Sequence, residues 1–196
     1  NIFMNQKKIF ILVGHPLKDS TCGRLAGSYA SGAEESKHEV RTMFIGDMHF
    51  DPLLRKAYRE IQELEPDLKQ FQENVRWADH VVILYPMWWS AMPAILKGLF
   101  DRVWLPGFAF HFHKHGIGWH KLLKGKSARV IITMDSWPMA SRFLFGDTTN
   151  EIGRGILWFS GIHPVRIKKF GPVKDASENK KRAWEDRVHR WGTKAK

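Results

Sequence analysis

Three unbroken apolar runs constrain this chain more than any other feature: residues 9–13 (IFILV), 81–84 (VVIL) and 130–132 (VII). A strand half in water alternates apolar with polar residues, whereas a strand covered on both faces has no polar side to show. Helix-forming segments separate the runs, at residues 21–33, 67–77, 93–104, 150–160 and 178–191. In the last of these, Trp184, Val188 and Trp191 recur along one helical face. Gly161 follows the fourth, where a C-terminal glycine belongs. Strand alternating with helix throughout predicts a parallel sheet with helices on both sides. A chain of 196 residues, 43% of them hydrophobic, is long enough to bury one such core. We read it as a single domain over 1–196, with residues 1–6 a loose N-terminal extension.

The strand segments are 8–14, 38–44, 80–85, 129–134 and 164–170, and they differ in kind. In the second, Glu39 and Arg41 alternate with Val40 and Thr42; in the fifth, Arg166 and Lys168 alternate with Val165 and Ile167. Alternating strands suit sheet edges. Placing strands two and five outside gives the order 2-1-3-4-5, and any ligand then belongs at the carboxyl ends of strands one, three and four.

The loops at those three ends carry the candidate site. The first holds His15, Lys18, Ser20, Thr21 and Cys22 at the start of a helix, where free amides and hydroxyls suit a phosphate; Ser20 also reads as an ordinary N-cap. It lacks the glycine-rich fingerprints of dinucleotide folds and nucleotide hydrolases. The second, Pro86, Met87, Trp88 and Trp89 with Pro93 beyond, forms a stiff aromatic wall on which a planar ligand can stack. The third, Thr133, Met134, Asp135 and Ser136, offers short polar groups to the far edge of the same ligand.

The stretch YPMWWSAMPAILKGLFDRV, from Tyr85 through Arg102 to Val103, resembles the NAD(P)H:quinone oxidoreductases of the DT-diaphorase type. GHPLKDST in the first loop, GFAF at 107–110 and Gly161-Ile162 extend the resemblance over nearly the whole chain. It implies a flavodoxin-like α/β three-layer sandwich and a flavin, FMN or FAD, reduced by NAD(P)H and reoxidised by a quinone-like acceptor in ping-pong hydride transfers. It also implies that His15, Ser20, Thr21 and Cys22 surround the flavin phosphates, and that Pro86–Trp89 and Thr133–Ser136 border the ring. Phe110 and Phe112 stand where the family has two tyrosines that cover the ring from a partner subunit, which implies a homodimer with a shared site. Asp135 and Ser136 replace the family's paired glycines. No catalytic side chain is assigned, since the flavin carries the hydride.

The formal charge of +11 favours anionic partners, but Glu178, Glu185 and Asp186 interrupt the basic tail, so a nucleic-acid arm is not expected. A one-electron carrier of this fold is disfavoured by the same charge, such carriers being acidic. A flavodoxin-like regulatory or binding subunit of a membrane transport system stays open as the alternative, and so does docking to a membrane partner. His111, His113 and His115, with His120, lack a Cys or acidic partner, and no metal is expected. No membrane span or secretory signal is legible, since 9–13 is too short; the single Cys22 gives no internal disulfide. The expected location is the cytoplasm.

Overall fold

The computed structural model describes residues 6–113, 115 and 117–196; most of the expected N-terminal extension, residues 1–5, lies outside them. The main sheet has five parallel strands: β1 (Lys8–Val13), β2 (Glu39–Phe44), β3 (His80–Pro86), β6 (Ser127–Thr133) and β7 (Val165–Phe170), in the order β2-β1-β3-β6-β7. This is the order 2-1-3-4-5 read from the sequence, with the two alternating strands at the edges.

The unbroken apolar runs are central because both sides of the sheet are covered. Ile9, Ile11 and Val13 of β1 and Val82 and Leu84 of β3 pack with Leu25 and Tyr29 of α1 (Thr21–Glu35) and with Trp184 and Val188 of α5 (Glu178–Gly192). Phe10, Leu12, Val81 and Ile83 face the other way, onto α2 (Pro66–Trp77) and α3 (Ala94–Val103). Each fully buried large side chain contributes about 1.5–3 kcal/mol of transfer free energy. Helices α1 and α5 cross closely: a Cβ on Gly192 would lie 2.2 Å from the Tyr29 carbonyl oxygen.

Arg102 of α3 is 1% exposed and clasps the long excursion between β2 and α2. Its guanidinium donates to both Glu65 carboxylate oxygens (3.2 and 2.8 Å), to the Glu63 carbonyl (2.7 Å) and to the Asp51 carbonyl. Burial pushes the Glu65 carboxyl up, but Arg102 and the Asp51 amide outweigh it and hold the group below its ordinary value.

Three elements depart from the sequence reading. Residues 105–123 contain a two-stranded antiparallel hairpin, β4 (Phe110–Phe112) with β5 (Trp119–Lys121). A short helix, α4 (Pro138–Phe145), follows β6; it buries only Ser141. The segment expected as an ordinary helix at 150–160 is instead π-helical over Glu151–Trp158, and Gly161 closes it at φ +104°. Among the described residues, no helix is long and apolar enough to cross a membrane.

Candidate functional site

Loops one, two and three meet in one cleft of about 150 Å³ at the carboxyl ends of β1, β3 and β6. His15, Thr21, Cys22, Pro86, Met87, Trp88, Thr133, Met134 and Asp135 line it, joined by Val173. Ser20, Trp89 and Ser136 stand outside the lining.

Loop one turns tightly onto α1. The Ser20 hydroxyl accepts from the Gly23 amide (3.2 Å) as the helix N-cap. A Cβ at Gly23 would fall 1.9 Å from the Lys18 carbonyl oxygen, so only glycine admits this wrap. In the first turn, the amides of Thr21 and Cys22 have no intrahelical acceptor. Lys18 is drawn aside, its ammonium 2.5 Å from Asp47. Nδ1 of His15 lies within hydrogen-bond reach of both the Leu17 amide (3.0 Å) and the Leu17 carbonyl (3.1 Å), which fixes the ring against its own loop. The ring meets Trp88 edge to face at 5.8 Å between centroids.

Loop two is a two-residue reversal. Trp88 and Ala91 exchange backbone hydrogen bonds of 3.0 Å each way, while Trp89 (φ +51°) and Ser90 (φ +62°) both adopt the left-handed conformation. That pattern is the I′ turn, which ordinarily calls for Asn-Gly. Trp89 is fully exposed. The amides of Met87 and Trp88 are engaged by the carbonyls of Thr133 (2.7 Å) and Ala91. Among the described residues those of Trp89 and Ser90 make no hydrogen bond, and neither do those of Asp135 and Ser136 in loop three.

Loop three is fixed from behind. Val173 donates to the Met134 carbonyl (2.9 Å) and Lys174 donates through its amide to Asp135 Oδ1 (3.1 Å). This return of the β7–α5 loop brings Val173 into the cleft, a contact that a lone valine in a loop does not announce in sequence. Cys22 is 1% exposed, its sulfur 3.2 Å from Thr133 Oγ1. Burial pushes the thiol up to about 12, the Thr133 hydrogen bond opposing, which disfavours the nucleophilic thiolate at neutral pH.

Phe110 and Phe112 do not line this cleft. Their rings lie edge to face at 5.0 Å, and Phe110 meets Phe159 at 5.1 Å, with Trp119 stacked on Phe159 at 4.4 Å. On the same hairpin His111 pairs across the strands with His120, and His113 lies against His120. Among the described residues, no three metal-ligating side chains come together to hold an ion.

The donor set fits a flavin. Amides and a hydroxyl at the start of α1 suit phosphate oxygens, and the free amides of loops two and three suit the polar edge of a conjugated ring. At about 150 Å³ the cleft is smaller than the 300–1,000 Å³ usual for small-molecule sites.

The family described as a flavodoxin-like fold matches residues 7–195. A ribosyldihydronicotinamide dehydrogenase-like protein of Penicillium crustosum is 31% identical over 191 residues, covering 79% of this chain and 69% of its own length. An uncharacterized NAD(P)H oxidoreductase of Haemophilus influenzae is 29% identical, covering 83% of each. Among solved structures, an NAD(P)H:quinone oxidoreductase of Methanothermobacter marburgensis superposes with a TM-score of 0.82 at 23% identity, over 98% of this chain and all of that one, which establishes shared fold. The chain therefore belongs to the flavodoxin-like fold family, and the resemblance to its NAD(P)H:quinone oxidoreductases read from residues 85–103 is borne out.

Proposed function

We propose that this chain is a flavin-dependent NAD(P)H:quinone-type oxidoreductase, working as one domain in the cytoplasm and as a homodimer with its site at the subunit interface. The observation that carries the reading is the convergence of three loops on one cleft, lined by Thr21 at the start of α1, by Trp88 and by Asp135 with its unbonded amide. The names of the relatives, dehydrogenase and NAD(P)H oxidoreductase, point the same way.

In this reading the bound flavin supplies hydride transfer in two half-reactions, from NAD(P)H and then to a quinone-like acceptor. The chain itself binds and orients. Thr21 and the first amides of α1 hold phosphate, and His15 stands beside them in the lining. The Asp135 amide takes the ring edge. Trp88 closes one side of the ring, leaving the other for the nicotinamide and the acceptor in turn. The exposed Phe112, with Phe110, covers the open face of a partner's cleft.

The test is the visible spectrum of purified protein after adding FMN or FAD, then NADPH under anaerobic conditions, then a short-chain quinone. Uptake of flavin, bleaching without a stable radical band and recovery with quinone are expected. Uptake of neither flavin overturns the reading and favours a binding subunit.

A further inference from the structure

A second cavity, of about 730 Å³, lies between the π-helix and the edge strand β7, and it shares no lining residue with the cleft. Its volume is that of a site for a small organic molecule. The floor is apolar: Val165 and Ile167 project from β7 toward the helix, and Trp158 closes one end. The helix brings Arg154 and Trp158 to the lining; between them Gly153 packs on Ile167, where a Cβ would lie 3.1 Å from Cδ1, and Gly155 faces the space. A Cβ on Gly155 would find only the Asn150 carbonyl oxygen, at 3.8 Å. Wide π-turns are rare and recur at functional sites.

The polar groups at the rim are not balanced. Asp147 is already engaged, accepting from the Thr149 amide at 3.0 Å and its hydroxyl at 2.6 Å. Those bonds hold its carboxyl below the ordinary range, burial opposing, with Lys169 and Arg142 adding to the effect. Lys169 donates to the Thr148 hydroxyl (2.8 Å) beside it. Arg154, in contrast, makes no side-chain hydrogen bond or ion pair among the described residues, and neither does the ring of His163. A guanidinium fork without a carboxylate, set over an apolar slot, matches an anion that carries its own apolar body.

We propose that this cavity binds a small amphipathic carboxylate, with Arg154 holding the carboxylate and Trp158, Val165 and Ile167 receiving an aromatic or aliphatic body. The site is separate from the flavin cleft and acts whether or not that cleft is filled.

The probe is 2-naphthoate, titrated into the full chain by calorimetry and by quenching of tryptophan fluorescence, with methyl 2-naphthoate as the uncharged control. One saturable site per chain is expected, with the ester at least tenfold weaker and naphthoate binding unchanged by saturating FMN or FAD. Arg154→Gln, at an exposed position, should weaken naphthoate about tenfold and leave the ester unaffected. Gly155→Leu should fill the slot and abolish both. Absence of saturable binding overturns the proposal, and so does displacement of naphthoate by flavin or an undiminished affinity in Arg154→Gln. Failure of the protein to take up flavin would overturn the oxidoreductase reading alone.

Discussion

Cys22 Sγ and Thr133 Oγ1 lie 3.2 Å apart, tying the first turn of α1 to the last residue of β6. The contact joins two of the three loops at the cleft, and burial, against the opposing Thr133 hydrogen bond, keeps the thiol protonated. At pH 8, well below about 12, the folded protein should resist a thiol-reactive disulfide reagent, and the thiol should react within minutes once unfolded. Cys22→Ala, which leaves the Thr133 hydroxyl without this partner, should cost about 1–2 kcal/mol in urea unfolding.

The Arg102–Glu65 pair should make the β2–α2 excursion acid-sensitive. The Glu65 carboxyl sits lower in the folded chain than its ordinary 4.5, so the unfolded chain binds more protons as pH falls. Its contribution is complete at pH 7 and fades below about 4.5 as pH descends through the folded value. Glu65→Gln should flatten that limb of the stability profile. It should also destabilise by about 3 kcal/mol at pH 7, because a buried guanidinium loses its countercharge; chemical denaturation at several pH values checks both.

The turn at Trp89-Ser90 holds two non-glycine residues in the left-handed region, a cost of about 1–2 kcal/mol each. Ser90→Gly should therefore raise stability by about 1 kcal/mol, read as a higher melting temperature. Trp89→Gly should stabilise similarly and leave flavin affinity within about twofold, since the indole stands outside the cleft; a fluorescence titration of apoprotein checks it.

On the proposed shared site, Phe110→Ser with Phe112→Ser should give a monomer by sedimentation and lose most flavin uptake. Retention of both properties would remove the shared-site proposal.

The reach of the sequence follows from what each element buries. Residues 9–13, 81–84 and 130–132 have no polar side because both of their faces are covered, so their central places were legible. Trp184 and Val188 kept helical spacing because α5 packs on one side only. Helix α4 left no such trace: Phe143, Leu144 and Phe145 are consecutive and exposed, Phe143 at 90%, and its buried position is a serine. Strands β4 and β5 are three residues each, too short for an alternation to register. Ile152 and Ile156, buried in the π-helical segment, stand four apart, a spacing an α-helix also buries on one face, so residues 151–158 read as an ordinary helix. Twelve cofactor candidates were named from three loops, and nine line the cleft. Ser20 instead turns its hydroxyl back to cap α1, and the tip of loop two carries Trp89 away from the wall.

The charges on the two outer strands bear on how copies of the chain can meet. Glu39 and Arg41 stand exposed or half-exposed along β2, and Arg166 and Lys168 are exposed along β7. Cationic edge strands discourage the strand-to-strand annealing that an open sheet otherwise invites. Growth by adding sheet to sheet is disfavoured at the β7 edge, so the proposed homodimer would use the aromatic faces of the hairpin and α4 instead. Contacts confined to such a face pair the copies and stop, which favours a closed assembly over a fibre.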